Sequence, residues 1–254
     1  MKSIQIPRCY DSHSHVLATG QLLSMLSLRG LKDPRHVGDL KLESKFNRGD
    51  WLLGFGWDQH LFPNGDYPTR AHLDAFFPNR PVAFSRTDGH AVWVNTCALE
   101  ICGLLRPVAS WNLPSGAEAF KDANGLPTGI LIDRAMELIF AHIPQDSLAQ
   151  KKSDLLEAFA EYNRKGFTHV RDMSGDESQW QALCELEDLG QMTMYFDQNF
   201  VFERPEDFSK ALDLARRAKA ERHRHLRPRG LKFYIDGALG SEGALLSRHY
   251  PGTN

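Results

Sequence analysis

The second half of the chain alternates helical and strand patterns, and this order limits the folds that the chain can adopt. Apolar residues recur at helical spacing between 148 and 162, and the following elements are bounded by proline and glycine. The predicted elements are a helix from 148 to 165, a strand from 166 to 173, a helix that stops at 190, a strand from 192 to 201, a helix from 205 and a strand that starts at 230. A strand, helix, strand, helix order predicts a parallel sheet.

A histidine pair near the start of the chain is the first candidate site. The apolar run from Ile4 to Tyr10 predicts a strand, and the stretch from Asp11 to His15 stands at its carboxyl end. Alternate strand residues point the same way, so His13 and His15 would share one face with their Cα atoms about 6.5–7 Å apart. Both imidazoles could then reach one metal ion; two solvated or core histidines are the alternative.

A second pair with the same spacing, His223 and His225, shows that the spacing alone is weak evidence. This pair is surrounded in the sequence by Arg222, Arg224, Arg227 and Arg229. Positive charge opposes the binding of a cation, so the sequence gives this pair no metal site. The first pair is favoured because parallel α/β barrels hold their catalytic groups at the carboxyl ends of strands.

Lys232 is the next unusual residue, because it lies in a strand pattern that breaks into a glycine-rich loop from Gly237 to Ser241. An ammonium group is costly to desolvate, so a lysine in a buried strand needs a reason to be there. The side chain could extend to the edge of the sheet and have no further role. The functional interpretation is an amine that becomes carboxylated and supplies an anionic oxygen ligand to one or two metal ions.

Further motifs follow one another in order along the chain. They are Gly54-Phe55-Gly56-Trp57-Asp58, Pro81-Val82, Asp88-Gly89-His90-Ala91-Val92-Trp93-Val94-Asn95, Gly125-Leu126-Pro127-Thr128-Gly129 and Gly166-Phe167-Thr168-His169-Val170-Arg171-Asp172-Met173. Together with the His-x-His strand and the lysine strand, they make the chain similar to the amidohydrolase superfamily. Within it the chain resembles the type-3 branch, the N-substituted formamide deformylase-like hydrolases, over nearly its whole length.

This resemblance implies an α/β fold based on a TIM-like (β/α) barrel. The chain is expected to form the first half of such a barrel, with about four βα units and a long inserted subdomain after the first strand. The insertion is expected at approximately 20–145, where turn signals are dense, within a partial metal-dependent hydrolase barrel domain over 1–254. A half-barrel would expose strand edges, so association or completion by another chain segment is expected.

The resemblance also implies a ligand set and a reaction. His13, His15 and a carboxylated Lys232 are the expected metal ligands, and the metal is expected to be zinc, as one or two ions; iron and manganese also suit such ligands. The family takes further histidines and a general-base aspartate from later strands, which are expected beyond Asn254. The expected function is hydrolysis of amide or other non-peptide carbon–nitrogen bonds by metal-activated water. The alternative is a truncated, non-catalytic remnant of such an enzyme.

The expected insertion contains three candidate substrate-binding residues, Trp57, Asp58 and His90. Aromatic and polar side chains at the mouth of a pocket can select a small-molecule substrate. Alternatively, Trp57 is a core anchor, and Asp58 and His90 hold turns. On the strand from 166 to 173, His169 and Asp172 are expected to be structural, because buried polar groups at strand ends commonly bond to loop backbone.

Composition excludes some classes of partner. The formal net charge of −2 argues against nucleic acid, and no apolar run approaches the length of a membrane span. The four cysteines are scattered without the spacing of a zinc knuckle or a disulfide scaffold, so a reducing cytoplasm is expected. The hydrophobic content of 42% is sufficient for a sizeable core.

Overall fold

The computed structural model describes residues 8–202, 204–236 and 244–247. In chain order the strands and helices are β1 (Cys9–Ser14), α1 (Val16–Leu23), β2 (Leu26–Ser27), β3 (Asn47–Arg48), β4 (Trp51–Trp57), α2 (Arg70–Asp74), β5 (Val82–Arg86), β6 (Ala91–Val94), α3 (Thr96–Ile101), β7 (Ala117–Lys121), β8 (Pro127–Asp133), α4 (Glu137–Phe140), α5 (Leu148–Arg164), β9 (Phe167–Gly175), α6 (Glu177–Asp188), β10 (Tyr195–Val201), α7 (Phe208–Ala220) and β11 (Leu226–Lys232). Short 3₁₀ turns lie at Pro34–Asp39, Ser44–Phe46, Gln59–Leu61, Pro63–Gly65, Val108–Ser110, Arg134–Met136 and Pro205–Asp207.

The chain divides into two compact units. The first, which we call the parallel-sheet unit, combines residues 8–19 with the described residues from 148 onward. The second, the mixed-sheet unit, consists of residues 20–147. The interpretation of 1–254 as one partial barrel domain with an insertion at approximately 20–145 stays a prediction.

The parallel-sheet unit contains four strands in the order β1-β9-β10-β11, and each neighbouring pair is parallel. Helices α5, α6 and α7 bury their apolar stripes against one face of this sheet, as the 3.6-residue spacing requires. Strand residues of this core are Val170, Phe196, Phe200 and Leu226. The predicted parallel α/β order is therefore confirmed. The described strands do not close into a barrel, so the TIM-like half-barrel stays a prediction.

Two predicted strand boundaries differ from the structure. The described part of β1 runs from Cys9 to Ser14, so His13 lies inside the strand, and the predicted stretch before residue 8 lies outside the described residues. Only His15 separates β1 from α1, which begins at Val16. The Val16 N–H donates a hydrogen bond to the Asp172 carboxylate. Strand β11 begins earlier than predicted, at Leu226, and the glycine-rich loop after it lies mostly outside the described residues.

The mixed-sheet unit contains a seven-stranded sheet, counted over its described residues, in the order β2-β4-β5-β6-β8-β7, with β3 paired to β4. Pairs β2-β4 and β4-β5 are parallel, and the remaining pairs are antiparallel. Along β4, Leu52 belongs to one buried core and Trp51 and Leu53 to another. Since successive strand residues point to opposite faces, this sheet is covered on both sides, which explains its continuous apolar runs.

Within the described part of the chain, no helix has the length and apolar character needed to cross a membrane.

Candidate functional site

The histidine pair lies at the carboxyl end of β1, on the sheet face opposite the helices. Ser14 is buried, and its hydroxyl is hydrogen-bonded to the Tyr162 hydroxyl of α5. His13 is exposed whereas Ser14 is buried, so the His13 ring lies outside the core that α5 covers. The rings of His13 and His15 lie with their centroids 5.6 Å apart at an interplanar angle of 62°.

This geometry suits two ligands of one metal ion. With metal–nitrogen bonds of about 2.0–2.1 Å and a tetrahedral angle between them, two imidazole centroids would lie about 5–6 Å apart. His13 is exposed and His15 is half-buried. Among the described residues, no hydrogen bond joins either imidazole ring to another group.

Asp172 fixes the backbone that carries the pair. Its carboxylate is fully buried and accepts a hydrogen bond from the backbone N–H of Val16 at 2.7 Å, directly after His15. The same carboxylate accepts bonds from the Ser174 N–H and hydroxyl and from the side-chain amides of Gln179 and Gln198. A carboxylate at the N-terminus of α1 also interacts favourably with the helix dipole. Asp172 therefore has the structural role that the sequence favours.

Lys232 stands at the end of β11, on the same sheet face as His13. Its neighbour Leu231 packs on the core beneath the helices, so Lys232 points to the other face. The side chain is half-buried, and its Nζ lies 4.8 Å from the centroid of the Tyr234 ring. An ammonium over an aromatic face is a cation–π contact, which gives this lysine a partner other than water.

The structure brings His13 and His15 together, but Lys232 belongs to a strand on the far side of the sheet. Strands β9 and β10 lie between β1 and β11. Three strand spacings of about 4.8 Å correspond to about 14 Å along a flat sheet. A metal ion shared by all three side chains therefore requires the sheet to curve toward this face.

The sequence did not predict a polar network that lies on this face of the parallel sheet. The Tyr10 hydroxyl donates to Asp197 at 3.3 Å, and Arg229 pairs with the same carboxylate at 3.0 Å. Burial, followed by the charge of Asp197, raises the pKa of Tyr10. Arg171 donates to Asn199 at 3.2 Å. No local signal predicted this network, because its members come from four different strands.

In the mixed-sheet unit, Asp58 and His90 lie at one end of the sheet. Asp58 follows β4, and His90 comes directly before β6, which is antiparallel to β5. Asp58 accepts a hydrogen bond from the backbone N–H of His60 at 3.0 Å and pairs with the His60 imidazole at 2.8 Å. The backbone bond is the main cause that lowers the pKa of Asp58, and the His60 side chain contributes to the same effect.

His90 is exposed, and its Nδ1 lies 2.8 Å from the Asp133 carboxylate. Asp133 has a positive φ of 48°, an uncommon conformation for a residue with a side chain. Close by in sequence, Arg86 pairs with Asp88 at 2.6 Å, and this hydrogen bond is the main cause that lowers the pKa of Asp88. This end of the sheet therefore presents charged groups that are already paired and an accessible imidazole.

Trp57 has the geometry of a core anchor. Its side chain is fully buried, and the indole N–H donates to the Phe84 carbonyl at 2.7 Å. The ring packs edge to face against Trp93 and Tyr67. A buried tryptophan with a satisfied N–H has no exposed atoms to offer a substrate. The geometry therefore favours the core-anchor interpretation, which the sequence left open.

The model of the amidohydrolase family Amidohydro_3 matches residues 6–254. This chain belongs to the amidohydrolase family. A relative from Bacillus subtilis (strain 168), named "Putative amidohydrolase YtcJ", is 33% identical over 261 residues, which cover 99% of this chain and 48% of that protein. The resemblance found in the sequence is thus confirmed.

Two further comparisons place the chain within the family. The N-substituted formamide deformylase of Arthrobacter pascens is 32% identical over 91 residues, or 36% of this chain and 16% of that protein. The crystal structure of an uncharacterized metal-dependent hydrolase from Pyrococcus horikoshii OT3 matches with a TM-score of 0.70 at 27% identity, over 97% of this chain and 47% of that chain. A mixed α/β fold like that of metal-dependent hydrolases is therefore confirmed. The chain spans about half the length of YtcJ and of the Pyrococcus protein.

Proposed function

We propose that this member of the amidohydrolase family supplies the metal-binding half of a hydrolase site that cleaves amide or other non-peptide carbon–nitrogen bonds. The observation that carries the proposal is the pair of imidazoles, 5.6 Å apart, at the carboxyl end of a parallel strand. This position is where parallel α/β enzymes hold their catalytic groups. The likeness to a metal-dependent hydrolase and to a formamide deformylase supports the same reaction class.

Each residue of the proposed centre has a distinct task. His13 and His15 would hold a divalent ion, and a carboxylated Lys232 would add an anionic oxygen ligand from the same sheet face. Asp172 acts as a positioning residue, because it holds the backbone of Val16 next to His15. The bound ion would supply an activated water molecule and a Lewis acid for the substrate carbonyl. The general base is not assigned to any residue of this chain.

Zinc is the proposed metal, as one or two ions, because imidazole and carboxylate-type oxygen are among its usual ligands. For substrate binding we propose Asp58, as a constant anion, and His90, as an accessible imidazole. For Trp57 we propose only a structural role: its buried side chain anchors the end of β4, which Asp58 follows. A cytoplasmic location and association into a homo-oligomer, or completion by another chain segment, are part of the same proposal.

An amide panel tests this function. The purified chain, loaded with zinc, is assayed for release of amine from N-substituted formamides, linear amides and cyclic amides. We expect activity on at least one class. His13→Ala or Lys232→Ala should lower the rate by about 100-fold or more, because removing a metal ligand should reduce activity at least as much as removing a residue that hydrogen-bonds to a ligand. Lys219→Ala, an exposed lysine of α7, is the matched control and should keep the wild-type rate.

Activity that persists at the wild-type rate in both His13→Ala and Lys232→Ala would contradict the proposal. The second candidate is a non-catalytic remnant of a family enzyme. It is favoured by the small number of ligands, since two histidines and one lysine are fewer than the four that a structural zinc site uses. A folded wild-type chain that neither retains zinc nor cleaves any amide would support this candidate.

A further inference from the structure

Three potential metal ligands converge on the helix-covered side of the parallel-sheet unit, away from the face that carries His13. Cys184 belongs to α6, Glu221 ends α7, and His223 lies in the segment that leads into β11. Their ligand atoms all lie within 4.8 Å of one another. Cys184 Sγ is 3.9 Å from His223 Nε2, and Nε2 is 3.1 Å from Glu221 Oε2.

These distances are close to those of a zinc coordination sphere. With bonds of about 2.3 Å to sulfur and 2.0–2.1 Å to nitrogen or oxygen, the edges of a tetrahedron measure about 3.3–3.6 Å. The observed separations of 3.9 and 3.1 Å lie on either side of that range. The ligand atoms of Cys184 and Glu221 lie within 4.8 Å of each other, so the exposed Glu221 side chain would move toward Cys184 for the three atoms to bind one ion.

A second layer of contacts orients His223 for this task. Glu187 Oε2 lies 2.7 Å from His223 Nδ1, so the other ring nitrogen, Nε2, faces Cys184 and Glu221. A carboxylate behind a histidine ligand fixes the ring and makes the ligand nitrogen more basic. Glu187 is itself held, because its other oxygen accepts a hydrogen bond from the backbone N–H of His225 at 2.6 Å.

The surroundings leave one side of the cluster open. The Trp180 indole donates to Glu221 Oε2 at 3.3 Å, and its ring lies edge-on to His223 at 5.3 Å. An open cleft of about 450 Å³ borders Cys184, Glu221 and His223. The cleft gives an ion access from solvent and leaves room for a water molecule as a fourth ligand.

The arginines that argued against this pair in the sequence do not surround it in space. Arg222 and Arg224 are exposed, Arg227 lies over the Tyr195 ring at 5.5 Å, and Arg229 pairs with Asp197 at 3.0 Å. Arg217, which also borders the cleft, pairs with Glu177 at 2.7 Å. The charged groups that contact His223 are the carboxylates of Glu187 and Glu221.

We propose that Cys184, Glu221 and His223 bind one zinc ion that is separate from the His13–His15 centre. The ion would link α6 to the segment between α7 and β11 and so hold two elements of the parallel-sheet unit together. Binding would convert the Cys184 thiol to a thiolate and release its proton to solvent. The alternative state is a His223 ring that bridges Glu187 and Glu221 without any metal.

Cobalt(II) titration of the full, metal-free chain tests the site, because a thiolate ligand gives Co²⁺ a near-ultraviolet charge-transfer band that histidine and oxygen ligands do not give. In the His13→Ala/His15→Ala background, we expect the band to saturate at about one Co²⁺ per chain and to disappear on addition of excess Zn²⁺. Cys184→Ser and His223→Gln should each abolish the band, and Glu221→Gln should weaken cobalt binding by about tenfold or more.

Two control variants separate this site from the rest of the protein. Cys97→Ser, which removes another free cysteine, should keep the band. His13→Ala/His15→Ala should also keep it, so the result does not depend on the hydrolase proposal. A wild-type chain that is folded by circular dichroism but shows no band would overturn the inference, as would a band that survives Cys184→Ser. In the His13→Ala/His15→Ala background, zinc should also raise the melting temperature, and adding Cys184→Ser to that background should remove the rise.

Discussion

At the scale of single residues, Asp172 is the side chain that holds the backbone at the end of β1. One fully buried carboxylate accepts hydrogen bonds from the Val16 backbone, from Ser174 and from the side chains of Gln179 and Gln198. It therefore joins β1 and α1 to β9, α6 and β10. The position of His15 depends on this residue although Asp172 is not a ligand in our proposal.

We predict that Asp172→Ala lowers the free energy of unfolding by about 3 kcal/mol or more, because it leaves several buried donors without an acceptor. Asp172→Asn should cost less, since its amide keeps one acceptor oxygen. Urea unfolding measures both. Asp213→Ala is the control: this exposed carboxylate of α7 pairs with Arg216 at 3.6 Å, and its loss should change stability by no more than about 0.5 kcal/mol. Equal costs at the two positions would contradict the role given to Asp172.

Asp58 allows a prediction on pH. Because the His60 backbone N–H, and secondly its side chain, lower the pKa of Asp58 in the folded chain, the carboxylate is the favoured form. The stability that these contacts contribute is fully present above the ordinary value of 3.8 and is lost as the pH falls through the lowered value. His60→Ala should raise the pKa of Asp58 only part of the way, since the backbone donor remains. Carbon-13 NMR of the carboxyl group measures both; a wild-type pKa at or above 3.8 would contradict this account.

At the scale of elements, two glycines explain the motif that ends in β8. Gly129 has a φ of +104°, and a Cβ added there would lie 2.5 Å from the Val94 carbonyl oxygen. Gly125 has a φ of +78°, but a Cβ there would meet nothing within 4 Å. The backbone conformation disfavours a side chain at both positions, while steric contact adds to the cost at Gly129 alone.

Alanine at these two glycines separates backbone strain from steric contact. Gly125→Ala should cost about 1 kcal/mol for the left-handed conformation. Gly129→Ala should cost clearly more, about 3 kcal/mol, because β8 would have to move away from β6. Denaturant unfolding of both variants measures the difference. If both variants lose the same stability, the close approach at Gly129 has no energetic weight.

Helix boundaries were more predictable from the sequence than strand boundaries. Helix α5 spans Leu148–Arg164, between the capping residues and the glycine that predicted it, because these signals are local. The start of β11 was missed, because Arg227, Pro228 and Arg229 hide the strand pattern. Arg229 lies in this strand because it pairs with Asp197 on the polar face of the sheet, which is a contact between strands.

At the scale of the whole molecule, the sequence could predict contacts within one element but not contacts among several. His13 and His15 are two residues apart, so their proximity is local in sequence. Cys184, Glu221 and His223 belong to α6, the end of α7 and the segment before β11, and they approach one another only once those elements pack. Likewise, the turns and short strands of the mixed-sheet unit were visible in the sequence, but their pairing into one sheet covered on both faces was not.

Elemental analysis of the purified chain tests most directly whether His13 and His15 hold a metal. The analysis is made in a Cys184→Ser background, so that only this centre contributes. We predict about one or two zinc, iron or manganese ions per chain, lost in His13→Ala/His15→Ala. The ions should remain in His36→Ala/His142→Ala, a control that removes two exposed histidines. Metal content that is unchanged in His13→Ala/His15→Ala, or that never exceeds background in the folded chain, would contradict the claim.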